Sequence, residues 1–190
     1  MITHHTQLLN ALIEKYNLKS YLEIGVQNPA NNFDKIKAEY KVGVDPEVTA
    51  DFVYKTTSDE YFKSQFTTTF DLIFIDGLHH ADQVQRDFEN SLRCLNDNGF
   101  IVIHDVLPEN EAGAKVPRET KQWWGDVYKW AMTIKNYPGI KYKTFNIDNG
   151  CMLIKKDSKE KGVGVPVKAD WQTYQQIGFV LMNVTDKVEI

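Results

Sequence analysis

The chain has little of what would mark a secreted, membrane or nucleic-acid-binding protein. Only two of its 190 residues are cysteine, Cys94 and Cys151, both among apolar neighbours. They read as buried free thiols and suit a cytoplasmic setting. No run reaches the ~18 apolar residues of a membrane helix. The N-terminus lacks a basic segment followed by an apolar core, so no signal peptide is expected. Basic charge is also lacking: 22 Lys and Arg stand against 26 Asp and Glu, a formal charge of −4. Nucleic-acid binding needs clustered Lys and Arg, so that class is set aside. Repeats and low-complexity tracts are absent. The length suits one domain with a sizeable core.

What is present centres on Phe70-Asp71-Leu72-Ile73-Phe74-Ile75-Asp76-Gly77-Leu78-His79-His80. The apolar run is too short for a globular helix and rich in Ile and Phe. It reads as a strand buried on both faces, as in a parallel sheet. Asp76-Gly77 ends it with a turn, and two histidines follow. Gly99-Phe100-Ile101-Val102-Ile103 repeats the pattern and ends on His104-Asp105. Open α/β sheets bind ligands outside the carboxyl ends of their strands, where these acids and imidazoles fall.

The rest of the chain builds around this pair. Residues 3–17 carry Leu8, Leu9, Leu12, Ile13 and Tyr16 at helical spacing, with Thr3 as candidate cap. His4 and His5 precede that face and read as solvated terminal side chains. Tyr21 to Val26 is the first strand; its Glu23 needs a polar pocket or a basic partner. Gly25 closes it and permits close backbone approach. A helix is expected over about 32–40, burying Phe33 and Ile36. Lys41 to Asp45 is the second strand, and a short third covers about 50–54. Thr57 or Ser58 can cap a helix beginning at Ser58-Asp59-Glu60. Residues 81–95 form an amphipathic helix with Val84, Phe88, Leu92 and Leu95 on one face, and Asn96 to Gly99 turns into the fifth strand. Residues 106–118 form a long loop of the kind used as lids. A helix carries Trp123, Trp124, Val127, Trp130 and Ile134. Residues 142–147 and 151–155 make a hairpin across Asp148-Asn149-Gly150. Residues 157–190 read as a charged linker and an aromatic C-terminal extension, packing on the body or on a second subunit.

Strands alternating with helices, then a hairpin, give an α/β doubly wound sheet. A dinucleotide fold needs several glycines after its first strand. Here none follows Gly25 before Gly43. A ligand with ribose and adenine but no phosphate, such as S-adenosylmethionine, relaxes that demand. Leu22-Glu23-Ile24-Gly25, Val42-Gly43-Val44-Asp45-Pro46, Ile75-Asp76-Gly77-Leu78-His79 and Ile103-His104-Asp105, in that order, resemble class I S-adenosylmethionine-dependent methyltransferases. The likeness is to a bacterial and phage branch with an Ile-Asp-Gly-x-His motif, similar to small-molecule and sugar O-methyltransferases. It covers about residues 18–156, taken as the methyltransferase domain within 1–156.

The resemblance implies a Rossmann-like sheet of seven strands, mostly parallel, with the last strand antiparallel. It implies S-adenosylmethionine as cofactor, with Glu23 and Gly25 around its methionine part and Asp45 on the ribose. Ser58 and Asp59 fall near the adenine and Asp76 at the fourth strand's end. Metal-dependent members hold magnesium with that acid and an Asp-Asn or Asp-Asp pair. This chain has His104-Asp105 instead, so a divalent metal on Asp76, His104 and Asp105 would include an imidazole, which suits Zn, Fe, Ni or Mn better. Methyl transfer to oxygen needs an in-line acceptor and a base, which favours histidine. His79 or His80 is the expected base, with Asp76 and Asp105 orienting it or holding a metal. A small-molecule or sugar acceptor is expected, and the tail aromatics would suit a homo-oligomer. Two other classes stay open: a metal-dependent hydrolase on His79, His80, His104 and Asp105, and a non-catalytic binding protein that keeps the fold. The Trp123, Trp124 and Trp130 cluster reads as core or interface before acceptor platform.

Overall fold

The computed structural model describes residues 1–65 and 67–190. The short apolar runs become strands: β1 (Ser20–Ile24), β2 (Tyr40–Val44), β3 (Val53–Tyr54), β4 (Phe70–Ile75), β5 (Leu95–Ile103), β6 (Ile140–Phe145), β7 (Cys151–Lys156) and β8 (Val184–Thr185). They form one sheet in the order β3-β2-β1-β4-β5-β7-β6-β8. β1 to β5 pair in parallel, and β7 runs antiparallel to both β5 and β6. The doubly wound sheet with a reversed seventh strand is as expected. Among the described residues the strand count is eight rather than seven, because the C-terminal segment adds β8, pairing Val184 and Thr185 with Thr144 and Phe145.

β4 sits at the middle of the sheet, and its alternation sends side chains to two cores. Leu72 and Phe74 meet Leu8, Leu9 and Leu12 of α1 (His5–Tyr16) on one face. Ile73 and Ile75 meet Val84 and Phe88 of α3 (Ala81–Cys94) on the other. Each such side chain contributes about 1.5–3 kcal/mol on full burial. Both cysteines are buried free thiols. A helix on each face thus fixes the carboxyl ends of β4 and β5, from which the site is built.

Several local expectations change. The cap of α1 is His4, which accepts from the Thr6 N–H at 3.2 Å, and not Thr3. The helix expected over 32–40 is one 3-10 turn, Phe33–Lys35. There the Asn10 side chain donates to the Lys35 carbonyl at 3.0 Å and accepts from the Lys37 N–H at 2.9 Å, replacing helical partners. The Trp-rich helix shrinks to α4 (Val127–Ala131) and a 3-10 turn, Ile134–Asn136. Gly125 just before it is left-handed, at φ +61°, so Trp123 and Trp124 lie outside it. β5 begins at Leu95, which pairs with Phe70 before the register jumps to Phe100 opposite Leu72. The expected turn at 96–99 is the bulge between them, held by Asn96 donating to Asp71 at 2.7 Å. The hairpin loop spans 146–150, with Asp148 and Asn149 left-handed. α2 (Ser58–Ser64) is capped by Thr57, which accepts from the Glu60 N–H at 3.3 Å.

Candidate active site

The carboxyl ends of β1, β2, β4 and β5 open into one cavity of ≈ 960 Å³. Gly25 ends β1 at φ +88°, and a Cβ there would lie 2.2 Å from the Asp76 carbonyl. Only glycine lets the ends of β1 and β4 approach so closely. Asp45 ends β2 and accepts three backbone N–H groups: Gln27 and Glu47 at 2.8 Å and Val48 at 3.2 Å. It thereby ties the loop after β1 to the loop after β2. Glu23 is buried and lines the cavity. Its Oε2 accepts from the Tyr21 hydroxyl at 2.5 Å and Asn32 at 2.8 Å. Burial pushes its carboxyl up to about 8, since these donors compensate only part of the lost hydration. Of the open choices for Glu23, the polar pocket is the outcome. Ser58 also lines the cavity and accepts from Gln83 at 3.1 Å. Asp59 instead pairs with Arg86 at 3.4 Å, outside the lining.

The ends of β4 and β5 carry the chemistry. Oxygen and nitrogen atoms of Asp76, His79 and Asp105 all lie within 4.8 Å of one another. His79 Nε2 is 3.4 Å from Asp76 Oδ1 and 3.3 Å from Asp105 Oδ2. Its Nδ1 faces the Trp123 carbonyl at 3.3 Å, so it donates there. Burial opposes charge on His79, but Asp76 and Asp105 outweigh it and raise its pKa. Asp105 is left-handed at φ +58°, and its buried Oδ1 has no hydrogen-bond partner. Burial pushes Asp105 up to about 6.

His104 stands behind this group. Its Nε2 donates to the Asp148 carbonyl at 2.6 Å, and its Nδ1 faces Asp76 Oδ1 at 3.2 Å. A nitrogen facing a carboxylate is best protonated, and burial is outweighed chiefly by Asp76, so its pKa lies well above the usual histidine range. Asp76 is conversely held well below the carboxylate range: burial would raise it, but the His104 imidazolium wins. Both ring nitrogens of His104 are thus engaged. The donor set brought together is Asp76, His79 and Asp105, with His79 where the sequence suggested His104 (a buried buttress in the fold). His80 stands at the N-terminal boundary of α3 without a side-chain capping bond and does not line the cavity.

Two features of the site escaped sequence reasoning. His4 and His5 are not merely solvated terminal groups. Both line the cavity, and the His5 side chain is only 13% exposed, stacked on Phe74 and edge-on to His104. The second is the segment 123–126. Trp123 stacks on His79 with ring centroids 5.2 Å apart and lines the cavity, whereas Trp124 and Trp130 are core. A Cβ on Gly125 would meet the His79 carbonyl at 1.8 Å. Asp126 accepts from the Ala81 N–H at 2.7 Å while its own N–H donates to the His79 carbonyl at 3.1 Å. The Gly125-Asp126 pair, a turn-like dipeptide before a helix, was the available signal.

Comparison with known proteins places this geometry. Residues 13–106 match the family model described as a methyltransferase domain. The fold resembles a putative caffeoyl-CoA O-methyltransferase from Staphylococcus aureus, at 20% identity and TM-score 0.60, covering 83% of this chain and 85% of that one. It also resembles a Bacillus cereus O-methyltransferase in complex with S-adenosylhomocysteine, at 15% identity and TM-score 0.59, covering 80% of each chain. A third likeness is to the MycE methyltransferase of mycinamycin biosynthesis, in complex with magnesium, S-adenosylhomocysteine and mycinamycin VI. There identity is 15% and the TM-score 0.54, with 86% of this chain and 50% of that one covered. Residues 13–106 thus match a methyltransferase domain, and the sheet around them has the fold of the O-methyltransferase structures that it resembles.

Proposed function

We propose that the chain transfers a methyl group from S-adenosylmethionine to a hydroxyl oxygen of a small molecule, a sugar being one such acceptor. The carrying observation is the single cavity joining the Gly25 close approach and Glu23 to the Asp76, His79 and Asp105 cluster. One end suits a cofactor with a ribose and an amino acid but no phosphate; the other suits an activated oxygen. Asp45 shapes the ribose end by holding both loops, and Ser58 lies on the same wall. That the similar structures from Staphylococcus aureus and Bacillus cereus are O-methyltransferases, the first a putative one, supports oxygen as the acceptor atom.

The residues present fit a divalent cation, because Asp105 Oδ1 is buried without a partner beside a carboxylate and an imidazole. Asp76, His79 and Asp105 would hold it, and their mixed nitrogen and oxygen donors favour Mn, Fe or Zn over Mg. A bound cation lowers the pKa of an oxygen that it contacts. Trp123 fixes the His79 ring by stacking and through its carbonyl, keeping Nε2 aimed between the two acids. Calorimetric titration with S-adenosylhomocysteine, with Mn²⁺ and again with chelator, tests the cofactor assignment. Binding is expected in both; no binding in either refutes it. An acceptor panel of phenols, sugars and macrolides, read by S-adenosylhomocysteine release, then tests the chemistry.

A further inference from the structure

The Asp76, His79 and Asp105 cluster has no feature that selects one hydroxyl compound over another, so the choice of acceptor falls to the cavity wall beside it. That wall is the end of the loop between β5 and α4. The loop closes on itself where the Trp124 N–H donates to the Gly113 carbonyl at 2.9 Å. The neck is tight, since a Cβ on Gly113 would lie 2.3 Å from the Trp124 ring. Within the loop, the Trp123 indole N–H donates to the Lys115 carbonyl at 2.6 Å. Arg118, Lys121 and Trp123 line the cavity from this loop.

Arg118 is exposed and yet held in place. Its Nε–H donates to the Thr120 carbonyl at 2.9 Å, and its Nη2 donates to the Lys121 carbonyl. Its Cζ lies over the Trp123 ring, 5.7 Å from the centroid, and the same ring stacks on His79 at 5.2 Å. Trp123 thus bridges the guanidinium to the cluster. Both Nη1 hydrogens and one on Nη2 keep no acceptor among the described residues. Glu119, next in sequence, is taken by Lys115 at 3.1 Å. Among the described residues, no carboxylate pairs with Arg118 or Lys121. A solvated arginine keeps its rotamer freedom, whereas ordering one costs entropy. A pre-set guanidinium fork with a second unpaired cation on the same cavity wall suits a planar or tetrahedral anion.

We propose that Arg118 and Lys121 hold an anionic group of the acceptor, which makes the substrate a hydroxyl compound bearing a carboxylate or a phosphate. The inference deepens the O-methyltransferase reading and rests on it. The anion meets the open edge of the Arg118 guanidinium. Trp123 gives the body of the acceptor an apolar surface. The hydroxyl then reaches the Asp76, His79 and Asp105 cluster on the far side of that ring's stack.

Calorimetric titration of the full chain with S-adenosylhomocysteine comes first; absence of binding refutes the methyltransferase reading and leaves the anion site to be read by itself. Inorganic phosphate and benzoate are then titrated into the chain, and the Trp123 indole N–H is followed in ¹H–¹⁵N spectra. At least one probe is expected to shift it with a millimolar Kd. The double variant Arg118→Gln, Lys121→Gln should weaken that binding by about tenfold or more. The tighter probe tells phosphate from carboxylate. No shift with either probe overturns the proposal, as does a shift that the double variant retains. Turnover is compared within matched pairs, 4-hydroxybenzoate against its methyl ester and glucose 6-phosphate against glucose. In a pair that is turned over, kcat/KM should favour the anion by about tenfold or more, and Arg118→Gln should bring the ratio toward one through KM. A wild-type ratio of one or below overturns the proposal. So does a loss of S-adenosylhomocysteine affinity in Arg118→Gln, which would assign the two cations to the cofactor's carboxylate. The anion titration decides even where neither pair is turned over.

Discussion

Two aspartates at strand ends on opposite sides of the cavity, β2 and β5 with β1 and β4 between them, are used in opposite ways. Asp45 closes β2 and gives its oxygens to three backbone N–H groups of the surrounding loops. Asp105 closes β5, is as well buried, and leaves Oδ1 without a partner. The first carboxylate builds the cavity wall. The second holds acceptor capacity that the fold does not use, which is costly unless a ligand answers it. Such a contrast separates residues that make the site from residues that act in it.

The contrast breaks most severely at the glycine between the two regions. Gly25→Ala would put a methyl group 2.2 Å from the Asp76 carbonyl, on a backbone at φ +88°. S-adenosylhomocysteine affinity should fall by roughly two orders of magnitude or more, as calorimetry would read. Next in size is Asp45→Ala, which strands three N–H groups. It should lower stability by about 2–4 kcal/mol in urea unfolding. In the same measurement, Asp105→Asn should cost less than Asp45→Ala, because no completed bond is lost at Oδ1 and only the charge facing His79 is removed. It should nevertheless weaken Mn²⁺ binding roughly tenfold or more. If both variants unfold alike, the division of roles fails.

A smaller effect sharpens the picture at Glu23. Its carboxyl is raised from 4.5 to about 8 in the fold. Below 4.5 both states are protonated and the stability is complete. As pH rises toward 8 the unfolded chain ionises and the folded one does not, so stability falls, by at most about 1.4 kcal/mol per pH unit from this group. Glu23→Gln should flatten that slope in unfolding curves taken across the window. An unchanged slope would assign it to another group.

How much of this was legible beforehand follows from the range of each interaction. The strand at 70–75 and the helix at 81–94 were plain because burial imposes local periodicity. The 3-10 turn at 33–35 was not, because a side chain 25 positions away, Asn10, replaced its helical bonds. Asp76, His79 and Asp105 could be named as polar strand ends. That His79 and not His104 completes the group depends on ring orientations fixed by Trp123 and Asp148.

The sequence by itself determined the order of strands and helices, the polar residues at the ends of β4 and β5, and the glycine after β1. These follow from spacing along one chain. Only the tertiary structure decided the β8 addition, the buttress role of His104 and the entry of His5 into the cavity. His5 reaches the site because Asp148, 143 positions later, binds its backbone and faces its ring. No pattern within either segment encodes that distance, since it exists only once α1 has packed on the sheet.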